Sequence, residues 1–297
     1  NVEIKIINCP LSSNGLFKRI YLILWAFYKQ GDVNHVLGDI NFISILMSKD
    51  KTINTFLDCR LMSEFKGIKK IIYKYLWFKI PITKSKKYTF ISDFTKNEIT
   101  KLLDLIDNNE SEVIPVPIAK NLPVRSGSLS KNKILIIGTE KHKNIYNMIK
   151  ATVGLDINLD IVGELKEEIK FFMKKNNINY KNYIDVSNEK INYLYATNTI
   201  LMMVSEYEGF GMPILEAQQS GLAVITSNLD PMKSVAGEGA IFTEPQNIFD
   251  IKEAIVKLLS DKDYAEKLIN AGIYNSKRYK DIFVLEKYKK IYLEILN

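Results

Sequence analysis

TILMMVSEYEGFGMPILEAQQSGLAVITS, residues 199–227, runs from an apolar segment through a glycine-bearing loop and a helix into a second apolar segment. TILMMVS and LAVITS are short, nearly continuous apolar runs, the pattern of strands buried on both faces of a parallel sheet. Pro213 suits the first helical position, where its missing N–H is not needed. Ligands of such sheets bind at the carboxyl ends of strands, in the loops that lead into helices, and EYEGFGM is such a loop. Gly209 and Gly211 let a backbone approach a ligand with no Cβ in the way. The helix N-terminus behind them favours a phosphate. Glu208 precedes the helix and Glu216 lies about one turn into it, with seven residues between them. A carboxylate accepts two hydroxyl hydrogen bonds at once, and sugars and riboses present such pairs. The plainer reading is that acids in a first turn complement the helix dipole.

The same rhythm extends in both directions. Before the linker, VEIKIIN reads as a strand and LFKRIYLILWAFYKQ as a helix. VNHVLG, KTINTFLD and KYTFIS follow as short strands, DFTKNEITKLLDLI as a helix capped by Ser92 or Asp93, and SEVIPVPI as a strand. IAKNLPVRSGSLSKNK, rich in Pro, Gly and Ser, is the linker candidate. KILIIG then restarts the alternation, with a helix from about Asn144 to Val153, NLDIVG, a helix across EEIKFFMKKNN, then YIDV, INYLYAT and TILMMVS. Strands alternating with helices imply α/β architecture in two doubly wound domains. The expected division is 1–122, a linker at 123–131, a second domain at 132–280, and a closing helix at 281–297 packing back toward the first domain. In that helix Phe283, Tyr288, Ile291 and Ile295 form a core stripe.

A chain of 297 residues exceeds the usual size of one core, which agrees with two domains. With 46% hydrophobic and 25% charged residues it is an ordinary globular composition, which excludes disordered and collagen-like classes. Cys9 and Cys59 support neither a disulfide framework nor a metal-ligand pattern, and they point to a reducing compartment. The start shows no secretory-leader pattern, and opening on Asn1 in place of Met is what a trimmed N-terminus would show.

The net charge of +7 is unevenly spread. KGIKKIIYKYLWFKIPITKSKK, residues 66–87, carries eight lysines and no acid, interleaved with Tyr73, Tyr75, Trp77 and Phe78. Its apolar stretches are too short to span a bilayer. The ordinary reading is a helix with lysines in water and aromatics in the core. The functional alternative is contact with an anionic membrane surface; no nucleic-acid motif accompanies the patch, so nucleic acid is not an expected partner.

EGFGMPILEAQQSGLAVITSN followed by SVAGEGAIFTEP resembles the signature of the retaining family 4 glycosyltransferases of the GT-B fold, marked by Glu, seven residues, Glu. KILIIGTEKHKNIYNMIKA is similar to the family's Gly-Thr and Lys-Asn segment, and NLDIVGE to its second strand. The resemblance implies two Rossmann-like domains facing a cleft, the first of them abbreviated here. By the same resemblance Glu216 holds the ribose of a nucleotide sugar and Glu208 contacts the transferred sugar. The backbone of Gly209, Phe210, Gly211 and Met212 touches sugar hydroxyls, and Pro213 and Ile214 bring N–H or apolar contacts near the phosphates and ribose. Lys143 matches the lysine that neutralises the leaving diphosphate. Thr139 stands where many members carry an arginine, which Lys141 would replace. The resemblance implies no metal and no cofactor, the nucleotide sugar being a substrate.

In the first half, His35, Gly38 and Asp39 are similar to a His-Ile-Thr-Gly-Asp strand end of bacterial members. Leu57 stands where those members carry a histidine, directly before Asp58. The catalytic set implied is Glu208, Lys143, His35 and Asp58, although a lone histidine beside an apolar strand is more often a packed residue. The expectation is a retaining hexosyltransferase of bacterial cell-surface polysaccharide synthesis, cytoplasmic or peripheral at the inner face of the membrane. It would use a nucleotide-diphosphate sugar and a glycan or lipid-linked acceptor. The alternative raised by Leu57 is an inactive relative that binds nucleotide sugar as a regulatory or scaffolding subunit. A nucleotide-sugar epimerase shares the architecture but fits the residues around Glu208 poorly.

Overall fold

The structure is a computed structural model that describes residues 3–105, 110–118, 122–125 and 132–297. Most of the expected linker lies outside these residues. The chain divides into two compact units, Asn1–Pro115 with Leu285–Asn297, and Val116–Val284.

The first unit holds a parallel sheet of β1 (Asn34–Val36), β2 (Thr52–Phe56), β3 (Lys87–Phe90) and β4 (Ser111–Val113) in that spatial order. β2 is buried along its whole length, and Phe56 packs between Phe78 and Phe90 at centroid distances of 6.0 and 5.8 Å. The helix Leu16–Tyr28 buries Leu22 and Ala26 against this core. The helix Asp93–Leu103 starts at Ser92, whose hydroxyl accepts the Thr95 N–H at 3.0 Å, as the sequence predicts. VEIKIIN departs from expectation: residues 3–9 form no strand, and Ile4 and Ile6 are 68% and 86% exposed. Alternation names a face, but only a neighbouring strand can supply the hydrogen bonds that make it one.

In the basic segment a helix Gly67–Tyr73 opens into a π-helical stretch Lys74–Lys79 and closes in Ile80–Thr83. Tyr73, Trp77 and Phe78 enter the core as expected, while Tyr75 stays half exposed. The closing helix Asp281–Leu296 buries Val284 and Ile291, and Phe283 turns outward with 57% exposure, so the expected stripe is shifted by one residue at its start.

The second unit is a six-stranded parallel sheet of β5 (Lys133–Ile137), β6 (Asn158–Val162), β7 (Asn179–Tyr183), β8 (Ile200–Met203), β9 (Ala223–Ser227) and β10 (Ile241–Thr243). Its spatial order is β7-β6-β5-β8-β9-β10. One face packs Ile134, Ile136, Ile161, Met202 and Ile225 under one helical layer, and the other packs Leu135, Leu201, Met203 and Val224 under a second. That two-sided burial is why β8 and β9 read as unbroken apolar runs. YIDV is misplaced by expectation: β7 ends at Tyr183, and Asp185 takes φ +51°, so the chain turns where a strand was expected.

Candidate functional site

The chain winds outward from β5 to β6 and β7, then returns to place β8 on the other side of β5. In an open parallel sheet this reversal leaves a crevice outside the carboxyl ends of the two central strands. The loops that leave β5 and β8 are therefore brought together, and they carry the residues singled out by sequence.

After β5, Gly138 takes φ +94°, a conformation that a side chain would strain. A Cβ there would lie 3.0 Å from Lys143 Cε and 3.1 Å from its Cγ, so the glycine leaves the space over which Lys143 folds back. Lys143 Nζ reaches Glu208 Oε1 at 2.7 Å, with side-chain exposures of only 17% and 11%. The two loops are sewn together beside this pair, where the Glu206 N–H donates to the His142 carbonyl at 2.8 Å. Asn144, left-handed at φ +57° and buried, donates to the carbonyls of Val204 and Pro245 at 3.1 and 2.7 Å. It thus ties the β5 loop to the end of β8 and to the segment following β10. Thr139 packs beside Gly163, where a Cβ would come within 2.7 Å of its hydroxyl. Lys141 stands exposed on the same turn, and the ion pair with Glu208 is made by Lys143.

Gly138→Ala is expected to push Lys143 off Glu208 and to cost about 1–3 kcal/mol in strain. A Lys143 Nζ to Glu208 distance still under 3 Å in the variant's crystal structure would contradict this account.

After β8, Gly211 turns at φ +105° and the helix Met212–Gln219 begins, with Pro213 in its first turn. Met212 and Pro213 are partly exposed at this end. Burial corrects the expected contact of Ile214 and leaves that of the Phe210 backbone as it was. Phe210 is 5% exposed and packs edge-on against Tyr279 at 5.8 Å, so its ring belongs to the core and only its backbone faces the loop. Ile214 is fully buried and its N–H donates to the Gly211 carbonyl at 3.0 Å, which leaves neither side chain nor amide for a ligand. Gly209 remains in the loop, partly exposed.

Glu216 is partly exposed, and its Oε2 accepts the hydroxyl of Tyr195 at 2.6 Å. Tyr195 is fully buried in the helix Asn188–Thr197, and burial, reinforced by the neighbouring Glu216 carboxylate, drives its pKa far above the ordinary phenol value. The phenol is thus a fixed donor that locks one carboxylate oxygen. Sequence reading missed Tyr195, because a tyrosine in INYLYAT looks like any core aromatic until its hydroxyl meets a carboxylate. It missed Asn144 as well, although an asparagine just before a helix was a usable signal for a left-handed residue.

In the first unit, His35 does not present a free nitrogen. Nδ1 meets the Tyr292 hydroxyl and Nε2 the Thr55 hydroxyl, each at 2.7 Å, and the ring lies 4.9 Å from that of Tyr288. Burial lowers its pKa to about 4, so it is neutral at physiological pH. The expected catalytic histidine is instead a brace that holds the closing helix to β1 and β2. Asp58 is exposed, and its carboxylate accepts the Arg60 N–H at 2.9 Å just ahead of the short helix Leu61–Glu64. The Leu57 carbonyl is held by the Thr95 hydroxyl at 3.1 Å.

The family model of the glycosyl transferases group 1 matches residues 122–274, which include Lys143, Glu208 and Glu216. O-antigen chain mannosyltransferase B of Escherichia coli is 26% identical over 263 residues, covering 77% of this chain and 67% of that protein. O-antigen chain mannosyltransferase RfbU of Salmonella typhimurium is 25% identical over 237 residues, covering 76% of this chain and 65% of the relative. The chain thus spans about two thirds of the length of these relatives. Among solved structures, Anabaena HepE in complex with UDP and glucose superposes with TM-score 0.77 at 12% identity, over 92% of this chain and 80% of that one. The fold is GT-B, with two parallel-sheet domains.

Proposed function

We propose, from the premise that this chain belongs to the group 1 glycosyl transferases, that it moves a hexose from a nucleotide-diphosphate sugar to a glycan or lipid-linked acceptor. The observation that carries this reading is the half-sequestered Lys143–Glu208 pair where the loops after β5 and β8 meet, with Glu216 in the helix that follows. The names of the relatives support a role in building a bacterial cell-surface polysaccharide. The UDP and glucose named in the HepE structure support a nucleotide-sugar donor.

In this reading Glu216 accepts the ribose hydroxyls, and Glu208 accepts hydroxyls of the sugar that is transferred. When the bond from the anomeric carbon to the diphosphate oxygen breaks, negative charge grows on the leaving group. Lys143, already placed beside Glu208 and only 17% exposed, meets that charge. The acceptor hydroxyl attacks on the face the diphosphate leaves, passing its proton to a diphosphate oxygen, and the configuration is retained. No metal is needed for these steps, and excess chelator is expected to leave turnover unchanged. Turnover lost to chelator and restored by added Mg2+ or Mn2+ would count against the metal-free reading.

The test is incubation with a panel of UDP- and GDP-sugars, with and without membrane-extracted acceptor, following nucleotide release. Acceptor-dependent release that disappears in Glu208→Ala supports transfer. Tight nucleotide-sugar binding with no release across all acceptors returns the inactive-subunit alternative.

Tyr195→Phe removes the hydrogen bond to Glu216 and keeps the ring in the core. A hydrogen bond to a charged group is worth about 1.5–3 kcal/mol. The KM for donor is therefore expected to rise by roughly one order of magnitude while kcat stays within a few-fold, and preference for a ribo- over a 2'-deoxyribonucleotide donor should shrink. An unchanged preference would show that Glu216 does not read the ribose.

A further inference from the structure

The basic segment buries its aromatic residues but not its isoleucines. Ile68, Ile71, Ile72 and Tyr75 are 74%, 58%, 51% and 50% exposed. They stand at i, i+3, i+4 and i+7 from Ile68, which is one continuous stripe along the helix Gly67–Tyr73 and the start of the π-helical stretch. Tyr73, on the other side, is the residue that enters the core, stacking on Trp77 at 4.7 Å. The core is thus complete without the stripe, and its apolar side chains face solvent.

Within the segment, charge is of one sign only. At 100° per residue, Lys69 and Lys74 fall on its two flanks, and the run from Lys66 to Lys87 contains no acid. Lys69 Nζ lies 4.1 Å over the Phe65 ring, which holds that cation at the edge of the stripe. The nearest acid before the segment, Glu64, is already paired with Arg60. Among the described residues, no helix is long and apolar enough to cross a membrane.

We propose that residues 66–75 are an interfacial anchor that lies flat on an anionic lipid bilayer, its Ile68, Ile71, Ile72 and Tyr75 stripe in the acyl boundary and its lysines among the headgroups. A short basic helix with an exposed apolar stripe inserts about 5–10 Å and draws its strength from buried apolar area together with attraction to anionic lipid. A second copy of the chain would bring two lysine-flanked stripes together and is disfavoured by like charge. This inference goes beyond the transfer reaction and does not depend on it, since it concerns where the chain resides and not what it transfers.

The experiment is sedimentation of the whole chain with vesicles of phosphatidylcholine containing 0 or 30% phosphatidylglycerol, at low and high salt. Partition is expected to rise steeply with anionic lipid and to fall with salt. Ile68→Ser with Ile71→Ser should weaken it by roughly tenfold or more, from the apolar area lost. Lys69→Gln with Lys74→Gln should weaken it about fivefold per lysine. Ile68, Lys69 and Ile71 are exposed and Lys74 partly so, and unchanged tryptophan fluorescence would show that the fold is intact. The proposal is overturned by partition that ignores anionic lipid, by absence of partition, or by serine variants that bind as well as the parent. It is equally overturned by a solution dimer that the serine variants dissolve while vesicle binding is missing.

Discussion

Glu208→Ala and Lys143→Met are each expected to lower the rate of sugar transfer by about 10²–10³, the range seen when one preorganised electrostatic contact to a developing charge is removed. The geometry also dictates how the two losses combine. The ammonium and carboxylate lie 2.7 Å apart at exposures of 17% and 11%, so each depends on the other for its position before the donor arrives. The double variant should accordingly fall well short of the product of the single effects, because residues in contact couple. Lys143→Met should act on kcat, with donor affinity changed less, since charge on the diphosphate grows as the bond breaks. Glu208→Ala should also loosen the choice among epimeric donor sugars. Single-turnover rates with a series of donors would measure both, and strictly multiplicative losses would show that the pair does not act as a unit.

A second large effect is expected in the stability of the first unit against acid. An unfolded imidazole titrates near 6.5, whereas burial holds His35 at about 4. The folded state therefore refuses a proton that the unfolded state accepts. The contribution is fully present above about pH 6.5 and is lost as pH falls toward 4, at about 1.4 kcal/mol per unit and about 3 kcal/mol in total. Urea unfolding followed by tryptophan fluorescence isolates this unit, because both tryptophans, Trp25 and Trp77, lie within it. Between pH 6.5 and 4.5 the parent should lose roughly 2–3 kcal/mol that His35→Gln does not lose. Parallel pH dependence in the two proteins would mean that the ring is not sequestered. The loss should begin with the closing helix, since His35, Tyr288 and Tyr292 join it to β1 and β2.

These two expectations separate the residues that sequence reading placed together as one catalytic set. Glu208 and Lys143 form an ion pair where the loops after β5 and β8 meet. His35 is engaged at both ring nitrogens, and Asp58 is exposed and accepts the Arg60 N–H in a turn ahead of a short helix. The difference lies in how far each residue's environment is built from nearby sequence. The glycine loop, Pro213, Glu208 and Glu216 lie on one turn and the helix that follows it, and local geometry holds them at the carboxyl end of β8. His35 takes its environment from Tyr292, 257 residues away, and nothing around VNHVLG signals that partner.

The sequence by itself determined the alternation of buried strands and helices, the parallel sheets, the strand-end loops and the positions of Glu208 and Glu216 around the turn. These depend on side-chain period, turn chemistry and capping, all of which act over a few residues. Only the tertiary structure decided that Lys143 reaches Glu208 across 65 residues, that Tyr195 fixes one oxygen of Glu216, and that Phe210 and Ile214 belong to the core. It also decided that the isoleucines of the basic segment face outward while its aromatics turn in. The physical reason is common to all four. Which side of an element is covered, and by what, is set by neighbours distant in the chain, and periodicity can name a face without naming what will meet it.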